Sequence, residues 1–300
     1  MDNTKKKKHI EFSATLTVLF AILVVYTIVF LVPILWAIFT TFKDYNTYRL
    51  GTARKDIELM LGFNNFTMQN LIYAFTEFKI PVKDDYVSLL PLFSNSVLYA
   101  GGCAFINTIV PCIVSYLVAR YNYPLGKIIY GIVLVTMAIP IVGSLPSEIA
   151  MVDNLGLMDS LWGLYVLKSN FLGIYFLVFY AQFKSIPKDY TEAAEIDGAS
   201  DMHIMLKIIF PIAIGTITTV MLLNFIAFWN DYQIPMIYWE SHPVVAFGMY
   251  YFVRITSGQM GATPVKLAAL IIVAIPIIIL FLISRRKKKV LSCLTKQRLK

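Results

Sequence analysis

Apolar runs of twenty residues or more recur along the whole of this chain, and no other feature narrows its fold so far. They fall at residues 12–40, 92–118, 126–149, 161–183, 211–230 and 265–284. Each is long enough to cross a hydrocarbon core of ~30 Å as a helix. The runs are continuously apolar rather than alternating, which excludes a porin-like barrel. Of the 300 residues, 58% are hydrophobic and 15% charged, too few charges to cover the surface of a soluble domain. The reading is an all-α polytopic membrane protein: one membrane domain over residues 1–300, six transmembrane helices, no internal repeat. The third and fourth runs are the least regular, because Pro140, Gly143, Pro146 and Lys168 interrupt them.

Charge orients the spans. Lys5–Lys8 precede the first. The tail, residues 285–300, carries Arg285, Arg286, Lys287, Lys288, Lys289, Lys296, Arg298 and Lys300 without an acid. Arg120 and Lys127 flank the turn between spans two and three, and Lys184, Lys188 and Lys207 lie between spans four and five. Glu148, Asp153 and Asp159 occupy the other side with no basic residue among them. Positive loops stay in the cytoplasm, so both termini and the loop at 184–210 are predicted inside, and the long segment at 41–91 outside. The net charge of +8 then reflects topology, and the basic tail can touch anionic headgroups. Span one is too long for a signal-peptide core and is read as a membrane anchor. Cys103, Cys112 and Cys293 have no metal or redox spacing and read as packing residues. In the outer segment, Leu71, Ile72 and Phe75 have helical spacing and predict a small amphipathic cap. Asn65-Phe-Thr67 fits a glycosylation triplet, which chance also produces.

The loop at 184–210 is polar and charge-dense, with the makings of two short helices. Pro187 suits a first helical turn and Ser185 stands close enough to help cap it. That helix runs through Tyr190 and Glu192 to Ile196 and Asp197, and Gly198 ends it in the left-handed conformation. A second begins at Ser200, with Asp201 placed against its N-terminal dipole, and Pro211 bends it into span five. Tyr190, Ala193, Ala194 and Asp197 share one face, where two alanines would let another protein approach closely. Asp197 sits at the C-terminal end, where the dipole disfavours a carboxylate by ~0.3–1 kcal/mol, which points to a partner for it. The plainer alternative is a solvated loop whose acids Lys184, Lys188 or Lys207 neutralise.

The string Ile186-Pro-Lys-Asp-Tyr-Thr-Glu-Ala-Ala-Glu-Ile-Asp-Gly-Ala-Ser200, with Pro211 following, resembles the EAA loop of ABC-importer permeases, in its carbohydrate, maltose-permease (MalG-like) branch. Asn154-Leu-Gly-Leu-Met-Asp159, Phe228-Trp-Asn-Asp231 and Phe66-Thr-Met-Gln-Asn70 resemble the same branch, so the likeness extends over most of the chain. The resemblance implies a permease subunit of a binding-protein-dependent carbohydrate importer in the bacterial cytoplasmic membrane. Its loop would be a coupling helix seated in a cytoplasmic ATPase, with Glu192, Ala193, Ala194, Asp197 and Gly198 as contact and shape positions and Pro187 and Pro211 shaping the loop. The implied partners are a second related permease chain, two ATPase copies and an extracytoplasmic sugar-binding protein. The tail departs from relatives, which commonly end in a short Gly- and Lys-containing segment.

The chain has no G-x-x-x-x-G-K-[ST] phosphate loop, since Gly126-Lys127 runs into Ile128, so ATP and Mg²⁺ would belong to the partner ATPase, with no cofactor in this chain. His9, His203 and His242 are scattered and form no metal pattern. Polar residues in or beside spans are candidates for a substrate pathway because they are costly there. Asn224, Trp229, Asn230 and Asp231 cluster around span five and its exit, and Trp229 and Tyr232 offer faces on which a sugar stacks. Asn224 can equally bond helix to helix, Lys168 can snorkel outward, and Phe228–Asp231 can equally be a structural corner. A scaffold that recruits a soluble partner through the same loop, or a permease for a non-sugar solute, remains the rival function. A secondary transporter would call for an inverted repeat and buried span carboxylates, and neither is visible.

Overall fold

The computed structural model describes residues 14–56, 66–82, 85–139, 143–254 and 261–298. Lys5–Lys8, Asn65 and Pro140 lie outside the described residues, as do the side chains of the basic tail. The chain divides into two compact units, residues 1–74 with 256–271 and residues 75–255 with 272–300.

In the first unit, α1 (Ala14–Thr41) is apolar on every side, and none of its most apolar window is buried within the chain. A helix of this kind belongs against lipid or another chain. Beyond it, Asp44 caps α2 (Tyr45–Arg54), its carboxylate accepting the Thr47 amide at 3.0 Å. Asn70, on α3 (Gln69–Glu77), is buried and its amide donates to the carbonyls of Thr41 at 2.8 Å and Lys43 at 2.6 Å. These two hydrogen bonds turn the Asn70–Ala74 side of α3 inward. The helix expected in this segment exists, but Ile72 and Phe75 are exposed, so the apolar spacing does not mark its buried side.

The second unit opens with a hairpin that an all-α reading did not anticipate. β1 (Lys79–Val82) pairs antiparallel with β2 (Asp85–Ser88), Ile80 opposite Val87. Pro, β-branched and aromatic residues in Ile80-Pro-Val82 and Tyr86-Val87 favour strand over helix. Phe78 stacks on Phe252 at 4.9 Å, and Gly248 leaves the room for it: a Cβ there would stand 2.8 Å from both Ile80 and Phe78.

Next come α4 (Leu89–Arg120), α5 (Pro124–Ala138), α6 (Leu145–Asn154), α7 (Leu161–Leu167), α8 (Ile174–Ser185) and α9 (Asp189–Ile196). They lead to α10 (Asp201–Trp229), α11 (Gln233–Tyr238), α12 (Val245–Arg254) and α13 (Thr263–Arg298). Among the described residues, four helices are long and apolar enough to span a membrane: Thr15–Thr41, Leu89–Arg120, Asp201–Trp229 and Thr263–Leu282. The predicted third and fourth spans are not continuous helices. The third is divided between the 15-residue α5 and α6, and α5 at about 1.5 Å per residue falls short of a bilayer. The fourth breaks between Leu167 and Ile174, where Gly173 takes φ +142°. Broken helices are tolerated at membrane depth only where the freed backbone faces protein or water. Here a small cavity of about 20 Å³ adjoins the break, lined in part by Asn107, Asn170 and Gly173.

Candidate functional site

The loop between α8 and α10 folds much as its residues dictate, with corrections at both ends. The Ser185 hydroxyl donates back to the Gln182 carbonyl at 2.7 Å and so does not cap the next helix. That helix, α9, starts at Asp189 with Lys188 at its N-cap, leaving Pro187 just outside. Asp189 and Glu192 fill its first turn, where the dipole welcomes negative charge.

Its C-terminus is closed by a Schellman motif. The Ala199 amide donates to the Ala194 carbonyl at 3.0 Å and the Gly198 amide to the Glu195 carbonyl at 3.0 Å, with Gly198 at φ +76°. Left-handed Gly198 thus stands where the sequence places it. Asp197, at the C-cap, is exposed, and among the described residues no lysine lies within ion-pair distance of it.

The shared face of Tyr190, Ala193, Ala194 and Asp197 is split by the fold. Ala194 is buried inside the chain's own core, 7% exposed, with Ile186, Ile204, Met205 and Ile209. Ala193, Asp197 and Tyr190 remain exposed. The outward stripe of α9 therefore runs through Asp189, Glu192, Ala193, Ile196 and Asp197. Ile196 is 86% exposed, a bare β-branched side chain that the sequence reading passed over. Two residues on from Ala194, it lies on the opposite side of the helix and faces out once Ala194 is buried.

Pro211 does not interrupt the path from the second helix into span five. Asp201–Trp229 is one helix, with a π-helical stretch over Ile204–Ile209 and the Phe210 amide reaching back to the Met205 carbonyl. The wider turn before Pro211 absorbs its missing N–H and its ring, which would otherwise crowd the preceding turn. Span five therefore begins inside the loop, and the loop core is continuous with the spans. Phe183 lies between Tyr116 of α4 (5.5 Å, edge-on) and Phe210 of α10 (6.0 Å, stacked). The Arg120 Nη1 donates to the Ile186 carbonyl at 3.1 Å.

The second group of candidates sits at the opposite end of α10, roughly 40 Å away along a helix of this length. Asn224 is buried and bridges to α4. It accepts from Asn107 Nδ2 at 3.0 Å and donates to Thr108 Oγ1 at 3.0 Å. Asp231 accepts the Tyr99 hydroxyl at 2.8 Å and the Gln233 and Ile234 amides at 3.0 and 3.2 Å, so it ties α4 to α10 and caps α11. Trp229 is buried against Phe93 and Phe225. Asn230 is exposed, its amide donating to the Ile226 carbonyl at 2.8 Å. Cys103 and Cys112 are buried free thiols.

Four long apolar helices, one of them sharing a core with a capped short helix through Ala194, make this a helical membrane protein. Residues 112–287, more than half of the chain, match the family model described as the binding-protein-dependent transport system inner membrane component, and the chain belongs to that family. It is 24% identical over 274 residues to the diacetylchitobiose uptake system permease protein NgcG of Streptomyces coelicolor, covering 89% of this chain and 84% of that one. It is 28% identical over 204 residues to the trehalose transport system permease protein SugB of Mycobacterium tuberculosis, covering 65% and 74%. Its fold is that of a chain in the crystal structure of a bacterial ABC transporter involved in the import of the acidic polysaccharide alginate. The match has a TM-score of 0.71 at 20% identity and covers 90% of this chain and 95% of that one.

Proposed function

We propose that this chain is one of two permease subunits of an ATP-driven oligosaccharide importer, and that α9 is its coupling helix, docked on a cytoplasmic ATPase. The observation that carries this is the way α9 is held: capped by Gly198, and buried through Ala194 in the core that also holds Ile204, Met205 and Ile209 of α10. A push on its exposed stripe cannot be absorbed locally, because close-packed cores transmit displacement rather than deform. It passes into span five and, through Phe183 and Tyr116, to α8 and α4. Glu192, Ala193, Ile196 and Asp197 are the surface offered to the ATPase; Gly198 and Pro187 shape it, and Pro211 fixes the π-to-α junction behind it. Carbohydrate is the proposed cargo because the relatives NgcG and SugB are named for diacetylchitobiose and trehalose.

In this reading the divided third and fourth runs complete six crossings, with both termini and α9 in the cytoplasm. The partners are a second related permease, two copies of a separate ATPase that bind ATP and Mg²⁺, and an extracytoplasmic sugar-binding protein. For the pathway, Asn230 is the exposed member of its group, and Asn224, Trp229 and Asp231 brace the wall from behind.

The test is ATP hydrolysis by the reconstituted complex, stimulated by sugar-loaded binding protein. Asp197→Arg relieves the dipole conflict and so spares the helix, but reverses charge at the proposed interface, where a wrong juxtaposition costs several kcal/mol. Normal expression with lost stimulation is expected. Stimulation at the wild-type level would make Asp197 an ordinary solvated acid.

A further inference from the structure

Where α4 and α8 end and α5 begins, the chain forms an open cleft of about 400 Å³, a size typical of small-ligand sites. Four cations line it, Arg120, Lys127, Lys184 and Lys188, and no acid does. Among the described residues, none of the four pairs with a carboxylate. Lys184 donates to the Tyr180 hydroxyl at 3.2 Å and sits 5.4 Å from the centre of that ring, which leaves its remaining donors free. Arg120 spends Nη1 on the Ile186 carbonyl, while its buried Nε and Nη2 have no acceptor.

The buried, unsatisfied donors of Arg120 are costly, and Lys127, Lys184 and Lys188, all exposed to solvent, add like charge around the same cleft. Asp201 and Glu195 both reach the neighbouring Tyr116 electrostatically, and Asp201 is engaged by the Tyr121 hydroxyl. Burial, and next the hydrogen bond with Tyr116, push the Tyr121 phenol up, so it stays a donor. A basic lining of this kind suits an anion. The cleft's depth and lining narrow the class. It lies at the last turn of a membrane-spanning helix, and Tyr121, Tyr123, Tyr130 and Tyr180 surround it as tyrosines do at the headgroup level. Guanidinium and ammonium groups converging around a tetrahedral oxyanion are the usual way to hold phosphate.

We propose that this cleft binds a phosphate-bearing anion, either the headgroup of an acidic phospholipid or a soluble phosphate compound. The site uses none of the residues assigned to coupling, so it stands or falls apart from that assignment.

The test uses the full chain purified with its partner subunits in nanodiscs. In one arm the discs are phosphatidylcholine doped with phosphatidylglycerol, and native mass spectrometry counts the acidic lipid retained. In the other the discs are pure phosphatidylcholine, and calorimetry measures pyrophosphate binding. Removing one lysine should weaken the productive arm about fivefold, and Lys127→Gln with Lys184→Gln together roughly thirtyfold. The paired Lys→Arg replacements should retain binding. Retention of phosphatidylglycerol that falls with the Gln variants supports a lipid ligand, and pyrophosphate binding that falls supports a soluble one. Should the double variant not fold, the single variants decide. Absence of both ligands from the wild type, or equal binding by the single Gln variants, overturns the proposal.

Discussion

Gly198 offers the cleanest test of whether the geometry of α9 is what transmits force. Its φ is +76°, and an added Cβ would meet nothing within 4 Å, so the penalty for a side chain is backbone strain and not collision. An L-residue held left-handed costs about 1–2 kcal/mol, and a β-branched one sits at or beyond the top of that range. About 2 kcal/mol is roughly a thirtyfold shift between the capped and uncapped loop. An eight-residue helix cannot hold itself by propensity, so the last turn, carrying Ile196 and Asp197, would open. Membrane insertion rests on the spans and should not change. Sugar uptake in cells, normalised to membrane-inserted protein, should therefore fall in the order Gly198, Gly198→Asn, Gly198→Ala, Gly198→Val. Asparagine ranks second because it visits the left-handed region most readily among ordinary residues. Uptake by the valine variant at the wild-type rate would refute the reasoning. So would an asparagine variant as impaired as valine, since that would make bulk, not φ, the determinant.

Further outcomes bear on topology, contact and stability. A cysteine replacing Asp153 should react with an impermeant thiol reagent from outside and one replacing Lys188 should not; the reverse pattern would remove α9 from the cytoplasm. Ile196→Glu should leave the melting temperature unchanged, because the side chain is 86% exposed, yet weaken co-purification of the ATPase by tenfold or so, the scale of a lost apolar interface anchor; undiminished co-purification would put Ile196 outside the interface. Gly248→Val should cost about 1–3 kcal/mol of stability by driving a side chain into Phe78 and Ile80, read as a lower melting temperature in detergent; an unshifted melt would mean that the hairpin yields freely.

Composition and period alone determined that this chain is a helical membrane protein, because lipid permits few ways to satisfy a backbone and long apolar runs leave only one. The end of α9 was legible for a similar reason: Gly198 is a local choice, made by the φ that residue tolerates. Span lengths were less legible where Pro, Gly and polar residues interrupt the apolar pattern, since a break such as that between Leu167 and Ile174 depends on what covers the freed backbone. Only the tertiary structure decided which side of α9 faces out. Ala193 and Ala194 are identical in chemistry, but Ala194 meets Ile204 and Met205 and is buried, which turns Ile196 outward. The same holds for the stretch before Pro211, where only the structure shows that a π turn carries the helix through into span five. Contacts between residues far apart in sequence, such as Asn107 with Asn224 and Tyr99 with Asp231, leave no trace in either local pattern, because their energy exists only once α4 and α10 have packed together.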